Sequence, residues 1–335
     1  QIMDITCLKA VIGNLRKILL PSRFELAQQP DSQTLQIGLR TLKGLNWLEL
    51  SWDAQAPRIV EIKRPPKIGS QSTLAKQIQY GLNQLAINEI KQRGFERVVE
   101  FCFSFRPGEE IQKILIIELM GRHSNLFLIN NKNKVITIGR QIRSHQSRFR
   151  PISTGDFYVE PPPLKGIKPS SNEVFFDWKE RLSLIPITIK KALQDNYQGI
   201  SPALALQLAD DKEKEAERIL SINVHDLQEN DWERIHKRWL IWLTSLEEEN
   251  LYIFFEGPTH FRCWHAKTNS LNSTQNNFLE LGFYYKRKLE ERKIKQTKEN
   301  IEKKLLKMKK NENSLLNKQR DLFLKIKDHN KIKIQ

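Results

Sequence analysis

Apolar side chains recur along this chain in three different rhythms, and each predicts a different kind of structure. Ile5, Leu8, Val11, Ile12, Leu15 and Leu19 fall three or four apart behind Asp4, which predicts a capped helix ended by Pro21. Residues 34–41 and 47–52 read as strands joined around Lys43-Gly44, and 58–63 is a third extended run closed by Arg64-Pro65-Pro66. Leu74, Ile78, Leu82 and Leu85 share one face of a second helix. Residues 98–105 and 111–119 then form strands on either side of Arg106-Pro107-Gly108. Residues 126–129 and 135–138 flank Asn130-Asn131-Lys132-Asn133, a hairpin signal. Strands that mostly follow one another predict an α+β domain with an antiparallel sheet, not a doubly wound parallel one.

The rhythm changes after a stretch that is rich in proline. Five of the chain's 14 prolines lie between residues 151 and 169, including Pro161-Pro162-Pro163, which makes a stiff connection. Helical spacing follows. Phe175, Trp178 and Leu182 open it, then Ile189, Ala192 and Leu193, then a tight turn at Gln198-Gly199-Ile200. Ser201 and Pro202 make an N-cap and first-turn pair for the next helix. Ile235, Trp239, Trp242, Leu243 and Leu246 mark another, and residues 252–255 and 261–264 form a hairpin across Gly257-Pro258.

The third rhythm is an interval of seven. Ile294, Ile301, Met308, Leu315 and Leu322 recur in it, and neither Pro nor Gly occurs after Gly282. Leu305 and Ile326 occupy a second seam that Lys298, Glu312 and Gln319 interrupt. This predicts a coiled-coil arm that packs on one partner helix, with a solvated amphipathic helix as the alternative. The expected organisation is a mixed domain over 1–160, a linker over 161–171, a helical domain over 172–247, a hairpin and connection over 248–280, and an arm over 281–335.

Charge sharpens that division. The 335 residues carry a net charge of +16, of which +11 falls in residues 281–335 and +5 in the rest. A surface of this kind suits a polyanion, either nucleic acid or an acidic membrane face. No run approaches the ~18 consecutive apolar residues of a membrane span. Cys7, Cys102 and Cys263 are too few and too scattered for a disulfide framework or structural zinc site, so a reducing cytoplasm is the expected compartment. No signal peptide is visible, and the sequence starts with Gln1 rather than Met. The arm ends at Lys331-Ile332-Lys333-Ile334-Gln335 with no partner strand for the coil, so the sequence reads as cut off there.

Catalytic constellations are scarce. The chain has no Walker-type loop, dinucleotide fingerprint or nucleophile elbow. His260, Cys263 and His265 resemble metal ligands, but a strand at 261–264 puts His260 on the opposite face from the other two. Three segments suggest binding instead. The apolar–Gly–apolar turn at Gly199, opening a helix capped by Ser201, has the helix-hairpin-helix pattern, whose backbone amides can face a phosphate. An ordinary connection between packed helices has the same pattern, and this segment does not separate the two. Glu118-Leu119-Met120-Gly121-Arg122-His123-Ser124-Asn125 interrupts two apolar strands, so a surface turn with a task is expected. Arg140, Arg143, Arg148 and Arg150 bring four guanidinium groups together with no acid between them, a pattern suited to phosphate or simply to a solvated loop.

In these residues the chain resembles the N-terminal half of the NFACT family, that of the RqcH and NEMF proteins, often labelled fibronectin-binding. The resemblance rests on ordered motifs: Asp4 with its helix, Glu96-Arg97 before a strand, the run from Glu118 to Leu126, Arg150-Pro151-Ile152-Ser153-Thr154-Gly155, and Tyr158-Val159-Glu160-Pro161-Pro162. The Thr41-Leu42-Lys43-Gly44-Leu45-Asn46-Trp47 segment is most similar to cyanobacterial members. The resemblance implies a first domain like the N-terminal part of formamidopyrimidine-type DNA glycosylases, followed by helix-hairpin-helix and coiled-coil segments. It implies a cytoplasmic, noncatalytic, RNA-binding factor of ribosome-associated quality control that needs no cofactor. Its implied partners are the obstructed large ribosomal subunit with its rRNA, tRNA carrying alanine, and the stalled peptidyl-tRNA. Alanine is then added to the stalled chain without a template, with peptidyl transfer supplied by the ribosome.

By the same resemblance Glu96 and Arg97 would hold tRNA. Glu118, Leu119, Met120, Arg122, Ser124 and Asn125 would face the ribosome, together with the arginine loop. Two departures stand out. Glu96 replaces the family's usual Asp, and the second half of the coil and the C-terminal RNA-binding domain are missing from the sequence. A DNA glycosylase is disfavoured, since Gln1-Ile2-Met3-Asp4 lacks the N-terminal proline and the cysteines cannot build the zinc finger. A surface adhesin, the other alternative, has no export signal or anchor here.

Overall fold

The computed structural model describes residues 2–146, 150–267 and 277–334. The first helix, α1 (Ile5–Leu19), begins behind Asp4, whose Oδ1 accepts the Cys7 amide at 2.9 Å. Its apolar stripe is buried against an antiparallel sheet, and Leu8, Val11, Ile12 and Leu15 are almost wholly enclosed. The strands are β1 (Ser22–Asp31), β2 (Thr34–Thr41), β3 (Gly44–Ser51), β4 (Arg58–Ile62), β5 (Ala86–Lys91), β6 (Val98–Ser104), β7 (Ile111–Glu118), β8 (Asn125–Asn130) and β9 (Val135–Ile138). Among the described residues they form one nine-stranded sheet in the order β4-β3-β2-β1-β5-β6-β7-β8-β9. The helix α2 (Thr73–Leu82) packs on both β1 and β9, and a Cβ on Gly139 would lie 2.7 Å from the Trp52 ring. The sheet therefore curls until the regions after β3 and β9 meet.

Two strands escape the sequence pattern. β1 carries Gln28, which looks unsuited to the middle of a sheet, yet its amide donates to Gln36 Oε1 at 2.8 Å and the Pro66 carbonyl at 3.0 Å. Hydrogen bonds from distant residues satisfy this polar group, so burying it is tolerated. β5 lies where helix 2 was expected to reach Leu85. The helix stops at Leu82 because Gln84 adopts a φ of +64°, and the strand starts two residues later. Only two residue pairs, Ser22↔Ile87 and Arg23↔Ala86, join β1 to β5 and so link the two halves of the sheet.

Five helices follow: α3 (Phe175–Leu182), α4 (Ile189–Asn196), α5 (Pro202–Ala209), α6 (Glu213–Leu220) and α7 (Glu229–Glu247). α6 is unannounced in the sequence because only Ala216, Ile219 and Leu220 bury an apolar face in it. The helices enclose Trp178, Trp232, Trp239 and Trp242, stacked edge-on and tilted at centroid distances of 5.2–6.0 Å. Trp242 Nε1 donates to Thr6 Oγ1 at 3.1 Å, which joins this core to α1. A short hairpin, β10 (Phe254–Phe255) with β11 (Phe261–Arg262), leads to the buried Cys263, and burial together with this neighbouring thiol pushes the Cys7 thiol well above its ordinary value. The two thiols are 256 positions apart in sequence, so spacing alone could not pair them.

Residues 1–282 form one compact unit and 283–335 a second. The helix α8 (Phe278–Ile334) begins in the first and supplies the second. In the second unit, Ile294, Ile301, Met308, Leu315 and Leu322 are 53–69% exposed. Among the described residues, no helix is long and apolar enough to cross a membrane.

Gly282, in the first turns of α8, brings that helix's backbone close against β4. A Cβ there would stand 2.4 Å from the Glu61 carbonyl oxygen. Backbone cannot yield as a side chain tip can, so Gly282→Ala should destabilise the first unit by ~1–3 kcal/mol. Urea unfolding followed by tryptophan fluorescence measures this, and an unchanged midpoint would mean that α8 does not dock against β4 in solution.

Candidate nucleic-acid interface

The register of the sheet brings separate sequence motifs to one end of it. Val98 pairs with Glu118 across β6 and β7, and Glu118 pairs with Asn125 across β7 and β8. Glu96-Arg97, which precede β6, therefore lie beside the turn that leaves β7. The Leu119 amide donates to the Arg97 carbonyl at 2.8 Å and continues the ladder into that turn.

The turn itself is a 3-10 helix over Gly121–His123. Gly121 has a φ of +54°, a left-handed conformation that favours glycine. Ser124 Oγ accepts the Met120 amide at 2.9 Å and donates to the Gly121 carbonyl at 2.7 Å, closing the loop. Asn125, fully buried, accepts the Arg140 amide at 2.9 Å and donates to the Arg140 carbonyl at 2.8 Å. Arg140 in turn reaches the Arg122 carbonyl at 3.2 Å. Arg122, His123 and Arg143 are exposed, while Met120 and Arg140 are half-buried.

Burial revises the sequence reading here. Glu118, Leu119, Ser124 and Asn125, expected from the sequence to face the ribosome, are all buried. They shape the turn from beneath. Arg150 was expected to extend the exposed basic loop, and it is buried too, its Nη2 donating to Glu118 Oε2 at 2.6 Å and its Nε to the Val159 carbonyl at 2.8 Å. Tyr158 donates to the same Glu118 oxygen at 2.6 Å. Glu118 Oε1 has no hydrogen-bond donor among the described residues. Burial pushes the Glu118 carboxyl above its ordinary value, against the pull of Arg150 and Tyr158. Arg148 lies outside the described residues.

Arg97 and Glu96 are half-buried. The two acids that a purely structural Arg97 would pair with, Glu89 and Glu100, face Lys91 at 3.7 Å and Arg93 at 3.9 Å instead. Arg97 Nη1 points to the Met3 carbonyl at 3.4 Å, and burial lowers its pKa while the charge of Asp4 raises it. Gln92 was not singled out in the sequence, where nothing marks it. Its amide nitrogen lies within 2.8–3.1 Å of the carbonyls of Arg93, Gly94 and Glu96, and so staples the loop that carries the pair.

The turn at Gly199 reaches the same region from the helical side. Gly199 has a φ of +81°, and a Cβ would strike Phe95 at 2.7 Å and Ile5 at 2.9 Å. Ser201 caps α5 by accepting the Leu204 amide at 3.0 Å and donates to Asp4 Oδ2 at 2.6 Å. Gly199 and Ser201 thus face the sheet domain. No group of three or more metal-ligating side chains occurs among the described residues.

A family model of the NFACT N-terminal and middle domains matches residues 4–335. The Rqc2 homolog RqcH of Streptococcus suis (strain 05ZYH33) is 29% identical over 205 residues, covering 59% of this chain and 36% of that protein. The Rqc2 homolog RqcH of Bacillus subtilis (strain 168) is 30% identical over 138 residues, 39% of this chain and 23% of that protein. The matched part is thus about a third or less of these relatives' length. The solved N-terminal part of the fibronectin/fibrinogen-binding protein of Streptococcus suis superposes with a TM-score of 0.60 at 21% identity, covering 85% of this chain and 99% of that one. The N-terminal domain of the fibronectin-binding protein PavA of Streptococcus pneumoniae gives 0.53 at 23% identity, with 84% and 99% covered. These structures share the fold.

Two predictions follow from the buried carboxylate. Arg150→Ala leaves Glu118 without its cation and should cost ~3–5 kcal/mol. A stable variant with weakened RNA binding would instead make Arg150 an RNA contact. The second concerns pH. Because the folded value of Glu118 lies above the unfolded one, its contribution is full below about pH 4.5 and is lost as pH rises through the folded value. The stability of the native chain relative to Glu118→Gln should therefore decline from pH 4 toward neutrality. Denaturation midpoints across that range check the sign, and a rising difference would mean that Arg150 outweighs burial.

Proposed function

The chain belongs to the NFACT family, and from that premise we propose that it is an RNA-binding factor of ribosome-associated quality control. It engages an obstructed large ribosomal subunit and tRNA, and supports template-free alanine addition to the stalled chain. It carries out no chemistry of its own, since the ribosome supplies peptidyl transfer. The observation that carries this reading is the convergence at one sheet end of Glu96-Arg97, the Met120–Arg122 turn and Arg140. Arg122, Arg140 and Arg143 have no carboxylate within ion-pair distance among the described residues, so their charge is free to meet phosphate. Ser124, Asn125 and the Glu118–Arg150 pair brace the turn, which supports a preset position for Arg122 and Arg140 before RNA arrives. Glu96 and Arg97 are the tRNA contacts in this reading, with Met120 and Arg122 meeting the ribosome. The net charge of +11 beyond residue 280 adds sequence-independent attraction through the basic arm.

Filter binding of tRNA over a salt series tests this. With about five phosphate contacts, the slope of log affinity against log salt should be around −3.5 to −4.5, and Arg122→Ala or Arg143→Ala should each make it shallower by roughly 0.7–0.9. Arg97→Ala should weaken tRNA binding with little change in unfolding midpoint. A flat salt profile would falsify the reading. Retention of the chain on immobilised fibronectin but not on RNA would support the adhesin instead.

A further inference from the structure

Beside α1 and the end of β5 lies a pocket of about 450 Å3 that no motif in the sequence marks. Lys9, Gly13, Arg16 and Lys17 line it from α1, with Glu249 and Tyr252 among the residues opposite. The spacing of the α1 residues places them on one face of the helix. None of the three cations has a carboxylate within ion-pair distance among the described residues. Two of them are nevertheless held in place. Lys9 Nζ donates to Gln92 Oε1 at 3.0 Å, and Arg16 donates from Nε and Nη2 to the Ile90 carbonyl at 3.1 and 2.7 Å. Both anchors are neutral, so they orient charge without cancelling it.

The arrangement has an electrostatic cost that an anion would remove. Burial and the neighbouring Arg16 lower the pKa of Lys9, and only Glu249 opposes them. Lys9 is half-buried while Arg16 and Lys17 are exposed, so the concave site sets one partly desolvated cation beside two that an anion can reach. The floor is Gly13, in mid-helix, where a Cβ would meet nothing within 4 Å. Alanine would be favoured there by about 1 kcal/mol, so packing is not what keeps the position bare. Tyr252, half-buried, offers a ring for a planar base beside the cations.

We propose that this pocket binds a nucleoside phosphate, with Lys9, Arg16 and Lys17 taking the phosphate and Tyr252 the base. The ligand is either a free nucleotide or one unit of a single strand, which present the same chemistry. The strand alternative rests on the RNA-binding reading above; the free nucleotide does not.

The test uses the whole 335-residue chain with a fluorescent uridine octamer and, separately, uridine monophosphate. Amide resonances of Gly13 and Asn14 report occupancy. Gly13→Glu adds a carboxylate at a position where a Cβ meets nothing within 4 Å, and should cut affinity roughly tenfold while the melting temperature holds or rises. Leu42→Glu, on a fully exposed hairpin tip, makes the same change in net charge and should have little effect. Shifts with the octamer alone support a strand site, and shifts with the monophosphate support a free-nucleotide site. If tRNA binds but neither probe shifts Gly13, or if Leu42→Glu weakens binding as much as Gly13→Glu, the pocket assignment is overturned and the RNA-binding reading stands. If the chain binds no RNA but the monophosphate shifts Gly13, that reading fails and the pocket remains.

Discussion

Asp4 ties two helix N-termini together. One of its oxygens accepts the Cys7 amide at the start of α1, and the other accepts Ser201, which itself caps α5. Capping satisfies backbone donors that the helix geometry leaves open. Here it also locks the helical part onto the sheet part, with Trp242 and Thr6 as a second clasp. Burial raises the Asp4 carboxyl, while the Cys7 amide, Ser201 and Arg97 work against that rise. Arg97 is thereby drawn to the same junction, and its placement beside Met3 follows from the cap rather than from a partner on its own strand.

The same logic separates arginines that look equivalent in the sequence. Arg150 serves the interior, where it shares Glu118 with Tyr158 and stacks 5.6 Å from the Phe127 ring. Arg122 and Arg143 remain outside. A buried cation requires a buried acid, and β7 ends on that acid. The turn beyond it is thus rigid from below and charged above. In the RNA-binding reading proposed above, that combination leaves little ordering to be done on binding.

Much of the architecture was legible in periodicity. The caps at Asp4 and Ser201, the consecutive hairpins and the long final helix follow from local rules about spacing, capping and turn residues. β1 was not legible, since the polar Gln28 is tolerated through partners contributed by Gln36, Pro66 and Ile68, and β5 was hidden because Leu85 continued the helical spacing past the break at Gln84. The candidate site was half legible. Its motifs stood out as polar interruptions of apolar runs, but a polar interruption has the same appearance whether its side chains face solvent or an internal partner.

The sequence by itself determined which segments are helical or extended, where charge accumulates and which residue types could meet phosphate. These are short-range properties, set by side-chain spacing and backbone preference. Only the tertiary structure decided that Glu96-Arg97 and the Met120–Asn125 turn share one sheet end, that Glu118 and Arg150 neutralise each other, and that Lys9 and Arg16 face a common pocket. Each of these depends on strand register or on contacts between residues far apart in the chain, and burial, which sets whether a charge serves folding or binding, exists only once those contacts form.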